Sequence, residues 1–330
     1  VMPLSGLNRW YVYRGIQAIR AEPSACILEL CIRAKVNHKE FTTRDIGFGL
    51  GPRLNAAGRL GDPTPVVNLF LETDPYKIAE QINALEKLNT KRKTIGESIQ
   101  KSIEKNSKTT LDFNAHHGII CAGELWHMGI IGINAARLVN KYHKPAIVIG
   151  FEGDIARGSA RSVPGVNIYN IISKCAHILD HFGGHSQAAG FSLAPTNISA
   201  FKAAFMEACD ANIDPKHLTP VITIDTTIPL AAISLDFIEE LSQLEPFGEA
   251  NPAPIFMATA TLLEARKVGK TQAHLKCRFQ QNGHIIDGIG FNLAPNLEHL
   301  SSQTVRIAFT VSKNEFNGIV SPQLELIDIQ

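Results

Sequence analysis

Between Pro75 and Asn106, apolar side chains recur at Ile78, Ile82, Leu85, Leu88, Ile95, Ile99 and Ile103, with Lys, Glu and Gln between them. Spacings of three, four and seven residues place them on one narrow stripe, which predicts a single long amphipathic helix. Asp74 is positioned to cap it and Pro75 to fill its first turn. The other faces are charged and the chain changes character on either side, so this helix reads as a connector between domains. Upstream, helices and loops lead into Asp45–Arg59. Glycines at 47, 49, 51 and 58 predict an irregular segment there rather than a regular helix.

Beyond the helix the period shortens. Gly118–Ala122 and Ala146–Ile149 read as buried strands, with helical spacing between them from Gly132 to Tyr142. This is a βαβ-like pattern, and it predicts an α/β domain closed near Asn212 by Phe201, Phe205 and Ala208 at helical spacing. After Asp214-Pro215 come short strand-like runs at Val221–Asp225, Ile255–Leu263, His274–Phe279, Ile285–Phe291, Val305–Val311 and Leu324–Ile329. Turn signals such as Gln281-Asn282-Gly283 separate them, and a five-stranded barrel of OB type fits their size. The predicted organisation is α/β, with segments 1–72, 73–107, 108–212 and 213–330.

Composition narrows the class. With 330 residues, 19% charged and 45% hydrophobic, the chain suits a multidomain globular protein. No apolar run approaches the roughly eighteen residues of a membrane span. The start, Val1-Met2-Pro3-Leu4, lacks the basic and apolar regions of a secretory signal. A first residue other than Met leads to the expectation that the protein begins further upstream. Six cysteines without a CxxC pair predict buried, reduced thiols in a cytoplasmic protein. The net charge of +1 leaves a nucleic-acid partner open, because a phosphate groove needs only local positive charge.

Four segments gather Arg, Ser, Gly and His where loops are expected. They are Arg53-Leu-Asn55-Ala-Ala-Gly58-Arg59, Trp126-His127-Met-Gly129-Ile-Ile-Gly132, Gly158-Ser159-Ala-Arg161-Ser162 and Gly183-Gly184-His185 running on to Gly190. Together they point to anion recognition. Guanidinium groups grip phosphate oxygens bidentately and serine hydroxyls add neutral donors. Glycines let backbone N–H groups approach, helix N-termini add partial positive charge, and a histidine can donate or ionise. Taken singly, a Gly-Gly-His tripeptide also reads as a plain turn, and Trp126 as a core aromatic.

In order and spacing, these motifs resemble the RecJ family of bacterial single-stranded-DNA exonucleases, within the DHH superfamily. Val1-Met-Pro-Leu with Asn8-Arg9 resembles the end of the family's DHH domain. Pro246–Pro254 and Asn314–Gly318 resemble signatures of its OB domain. The resemblance implies the end of a DHH domain, a connecting helix, a DHHA1 domain over 108–212 and an OB-like barrel. It implies a phosphate-binding set of Arg53, Asn55, Arg59, His127, Ser159, Arg161, Ser162, Gly183, Gly184 and His185. Catalytic residues and the ligands of Mn2+ or Mg2+ would lie outside this chain. His116-His117 follows Ala115 and reads as a strand edge rather than a metal pair. The implied partners are single-stranded DNA and, beside it, a single-strand-binding protein or a RecQ-type helicase. Acidic residues outnumber basic ones after Asp214, but Arg266, Lys267, Lys270, Lys276 and Arg278 form a candidate basic strip. Two alternatives stay open: a DHH–DHHA1 phosphodiesterase for short oligonucleotides or cyclic dinucleotides, and a non-catalytic single-strand-binding module.

Overall fold

The computed structural model describes residues 2–109, 113, 115–295 and 303–330, so Val1 of the N-terminal motif lies outside them. The chain forms two compact units, one of Val1–Ala21 with Ile222–Gln330 and one of Glu22–Val221. The first division therefore falls inside segment 1–72.

In the first unit, helix α1 (Gly6–Ala21) packs on the segment carrying the Pro246–Pro254 motif. The Leu4 N–H donates to Glu249 O at 2.7 Å, Arg9 Nη2 to Leu244 O at 2.7 Å, and Arg20 pairs with Glu245 at 3.4 Å. Two motifs far apart in sequence are thus packing partners.

The second unit opens with α2 (Ala25–Ala34), capped by Ser24. Residues Asp45–Leu50 then form a π-helical turn that runs into α3 (Gly51–Leu60), followed by α4 (Thr64–Leu71). The irregular segment expected over 45–59 is therefore helical. Glycine lowers helix propensity by about 1 kcal/mol without forbidding the helix. Here it also allows close packing, because a Cβ on Gly51 would lie 2.7 Å from Ile46 O. Helix α5 (Pro75–Thr109) is the predicted long helix and lies wholly within this unit, with the Tyr76 N–H on Asp74 Oδ1 at 2.9 Å.

The sheet of this unit follows as β1 (Ile119–Glu124), α6 (Ile131–Tyr142), β2 (Ala146–Glu152), β3 (Ile155–Arg161), α7 (Ile168–Ser173), β4 (His181–Gly184), β5 (Ala188–Leu193) and α8 (Ile198–Asn212). Strand order is β1-β2-β3-β5-β4. The predicted βαβ unit is present, with β1 and β2 parallel, but β3, β5 and β4 add antiparallel strands. Phe201, Phe205, Ala208 and Cys209 of α8 are buried in the core.

Back in the first unit, Thr226–Thr227 forms a short β6, and Val221–Asp225 is not the expected strand. Asp225 alone of these five has a ladder partner among the described residues, its N–H donating to Ile255 O at 2.9 Å. After α9 (Leu235–Ser242) come β7 (Phe256–Val268), β8 (His274–Gln281), β9 (His284–Gly290), β10 (Thr304–Phe316) and β11 (Ile319–Ile329). Neighbours run β7-β8-β9-β11-β10, and β10 pairs back onto β7 to close a five-stranded barrel, with β9 and β11 parallel. This is the predicted OB topology. The six cysteines are all free and buried. No helix among the described residues is long and apolar enough to cross a membrane.

Candidate anion-binding site

The four motifs divide once they are folded. Ser159 and Arg161 lie on strand β3, not in the expected loop, so two-residue periodicity aims both at one face of the sheet. Arg161 Nη1 donates to Ser159 Oγ at 3.1 Å and to Ala160 O at 2.7 Å. Ser162 falls on the other side. Its hydroxyl is buried and donates to Val166 O at 2.8 Å.

Helix α6 covers this face, and its N-terminal end meets the serine and arginine. A Cβ on Gly132 would lie 2.8 Å from Ser159 Oγ and 3.0 Å from Arg161 Nη2. No side chain caps the helix at Ile130, so its partial positive charge adds to the guanidinium. His127 precedes the helix, and its Nδ1 accepts the Gly129 N–H at 3.1 Å. In the neutral ring this assigns the proton to Nε2, which is left as a donor. The Trp126 ring packs where a Cβ on Gly123 would stand, and its backbone does the same at Gly150, so Trp126 is a packing residue.

Helix α3 supplies Arg59, whose Nη1 donates to Gly129 O at 3.3 Å. The approach is close: a Cβ on Gly129 would stand 2.0 Å from Arg59 O. Asn55 is exposed one turn before Arg59. Arg53 takes another face of the helix, because six residues do not return to the same side at 3.6 per turn. It pairs with Glu86 and donates to Gly49 O at 2.6 Å and Arg33 O at 3.3 Å. The structure thus separates Arg53 from Arg59.

Two arginines outside the four motifs join Arg59 and Arg161. Burial, then the Arg59 and Arg137 charges, pulls the Arg92 guanidinium below its ordinary value. Burial and the Arg59 charge do the same to Arg161. Arg59, Arg92, Arg137 and Arg161 therefore share one electrostatic neighbourhood, and among the described residues no carboxylate pairs with any of them. Arginine stays protonated even so, which leaves a concentrated positive field that an anion would relieve. Arg92 was legible in principle. On α5 the inward stripe runs Ile82, Leu85, Asn89, Arg92, Gly96, Ile99, and a buried Asn and a half-buried Arg interrupt the apolar series in register. Asn89 Oδ1 accepts from Arg92 Nη2 at 2.9 Å.

Gly183 and Gly184 end β4 in a hairpin with β5, where the His185 N–H closes on Ala188 O at 2.7 Å. Gly184 serves this turn. Its φ is +150°, and a Cβ would stand 2.4 Å from Ala188 O. Gly183 has open space above it, and His185 is exposed at the hairpin tip.

Among the described residues no group of three His, Cys, Asp or Glu could hold an ion. His116 Nδ1 instead meets Asp210 Oδ2 at 2.5 Å, and the His117 N–H donates to Asp210 Oδ1 at 2.8 Å.

Domain families match both halves of this picture: the DHHA1 domain over residues 115–211 and the RecJ OB domain over 224–328. The chain is 32% identical over 333 residues to the single-stranded-DNA-specific exonuclease RecJ of Bacillus subtilis (strain 168), covering 99% of this chain and 42% of that protein. The RecJ of Haemophilus influenzae is 33% identical over 339 residues, covering 99% and 59%. The homologues of this chain are RecJ nucleases. A crystal structure of Thermus thermophilus RecJ in complex with Mg2+ superposes with a TM-score of 0.86 at 25% identity, over 100% of this chain and 50% of that one. A second, in complex with Mn2+, also has a TM-score of 0.86, at 24% identity. The chain spans about half the length of the RecJ proteins it matches.

Proposed function

We propose that this chain is the strand-holding portion of a single-stranded-DNA-specific 5′-to-3′ exonuclease. The observation that carries the reading is the carboxylate-free group of Arg59, Arg92, Arg137 and Arg161 beside Ser159 and the α6 N-terminus. Such a group suits a phosphate. Arg161 and Arg59 would neutralise its charge, Ser159 Oγ and the His127 Nε2–H would donate to its oxygens, and the helix end would add its dipole. Held at a terminal 5′ phosphate, the site would fix the strand for hydrolysis by positioning alone. Gly183 and His185 would approach from the hairpin side. Mn2+ or Mg2+ would be held by residues outside this chain. The barrel would supply a second strand-binding surface. A single-strand-binding protein or a RecQ-type helicase would work beside the enzyme, and the cytoplasm would be its compartment.

The test is binding of a 5′-phosphorylated single strand, a 5′-hydroxyl strand and a blunt duplex to the chain, read by fluorescence anisotropy at several salt concentrations. Preference for the phosphorylated single strand, lost in Arg161→Ala, is expected. Equal affinity for all three, or an Arg161→Ala chain that binds as the parent does, would overturn the reading.

A further inference from the structure

The face of the sheet that carries Ser159 and Arg161 continues past the site. Arg157, Ser159 and Arg161 alternate along β3 and so share that face. Register extends it across the neighbouring strands. Ser159 lies opposite Gly190 of β5, which lies opposite Gly183 of β4. The next row out is Arg157, Ser192 and His181. A floor without side chains therefore leads from Ser159 to the sheet edge, about 10 Å across two strand spacings.

Nothing local asks for glycine at these two positions. Neither has a φ in the left-handed region. A Cβ on Gly183 would meet no atom within 4 Å, and one on Gly190 only Gly158 O at 3.8 Å. Glycine weakens a strand through lost backbone entropy and missing side-chain contacts, so an unforced pair marks the close approach of something else. Both are exposed, as are Arg157 and His181. Among the described residues neither Arg157 nor His181 has an ion-pair partner.

We propose that a single polynucleotide strand leaving the Ser159–Arg161 site crosses this glycine floor, with Arg157 and His181 holding the phosphates that follow the first. The proposal rests on the strand-holding reading and extends it to the strand's path. Residues two apart on one strand are about 6.6 Å apart, close to the rise between successive phosphates of an extended strand, so Arg157 stands about two such steps from Arg161. No Phe, Tyr or Trp ring lies on this face of β3, β5 or β4, and Phe182 belongs to the opposite one. Recognition here would be of the sugar–phosphate backbone, independent of sequence and dependent on salt.

Gly183→Val and Gly190→Val test the floor without disturbing the fold, because valine favours an exposed strand. Melting temperatures should stay level or rise, while affinity for 5′-phosphorylated dT12 falls about tenfold or more. Binding of the mononucleotide 5′-dTMP, measured by competition, should be unchanged in Gly190→Val. Arg157→Ala should reduce the log–log salt slope for dT12 by about 0.7. Valine variants that bind dT12 as the parent does would overturn the path. If the valines instead lower the melting temperature, Gly183→Ala, Gly190→Ala and Arg157→Glu decide it, and normal dT12 binding by all three has the same consequence. Arg161→Ala, run in parallel, separates the two readings. Loss there with normal valine variants removes only the path, whereas no loss there removes the phosphate site itself.

Discussion

Gly132 at the start of α6 lies directly against Ser159 of β3, leaving no room for even a methyl group before the hydroxyl and the Arg161 guanidinium. The contact fixes both groups at the end of a helix dipole. Gly132→Ala should push the two side-chain ends aside, which costs the fold little because both are flexible tips and alanine favours the helix by about 1 kcal/mol. We expect a melting temperature within a few degrees of the parent and affinity for a 5′-phosphorylated strand about tenfold lower. Gly129→Ala is the structural contrast, since its Cβ would meet the Arg59 backbone 2.0 Å away. That variant should unfold at markedly lower temperature, and a thermal melt beside the binding curve distinguishes them.

Arg53 and Arg161 share a motif-level appearance and should behave oppositely. Arg53→Ala removes the partner of Glu86 and a donor to two carbonyls. We expect about 1–3 kcal/mol of lost stability by chemical denaturation and no change in the salt slope of strand binding. Arg161→Ala relieves repulsion with Arg59, so stability should hold or rise. Strand affinity should fall by about 1–3 kcal/mol, with a log–log slope shallower by about 0.7.

On the barrel, the candidate basic strip is damped by two carboxylates. Lys276 approaches Asp287 at 3.6 Å and Arg278 at 3.4 Å, while Arg266 pairs with Glu264 at 3.5 Å. These are exposed pairs that add little stability. Asp287→Asn should release two cations on the β8–β9 face and raise single-strand affinity at low salt, with a salt slope steeper by up to about 1.4. Unchanged binding in a salt titration would show that this face does not meet the strand.

Asp210 gives a pH dependence. Burial opposes its ionisation, but the His117 N–H, the His116 ring and the histidine charges outweigh this and hold its carboxyl below the ordinary 3.8. A lowered folded value means the contribution is present above the unfolded value and lost as pH falls through the folded one. The stability of the parent relative to Asp210→Asn should therefore shrink as pH falls below about 4, as measured by urea denaturation across that range.

Sequence pattern alone determined the long helix, because Ile82, Leu85, Ile99 and Ile103 mark one stripe whatever they pack against. It also determined the barrel, whose alternating runs and Gly-containing turns are local signals. The strand at Val221–Asp225 failed for the same reason: β-propensity is realised only where a neighbour offers a ladder, and here just Asp225 finds one. The motifs named the right chemistry, but which arginines meet was beyond them. Arg53 and Arg59 differ by six residues and diverge around a helix, whereas Arg59, Arg92, Arg137 and Arg161 come from four separate elements and converge. Convergence of that kind is set by the packing of α3, α5, α6 and β3 on one another, a long-range property that local spacing does not encode. The same holds for the glycine floor, since Gly183 and Gly190 become neighbours of Ser159 only through the register of three antiparallel strands.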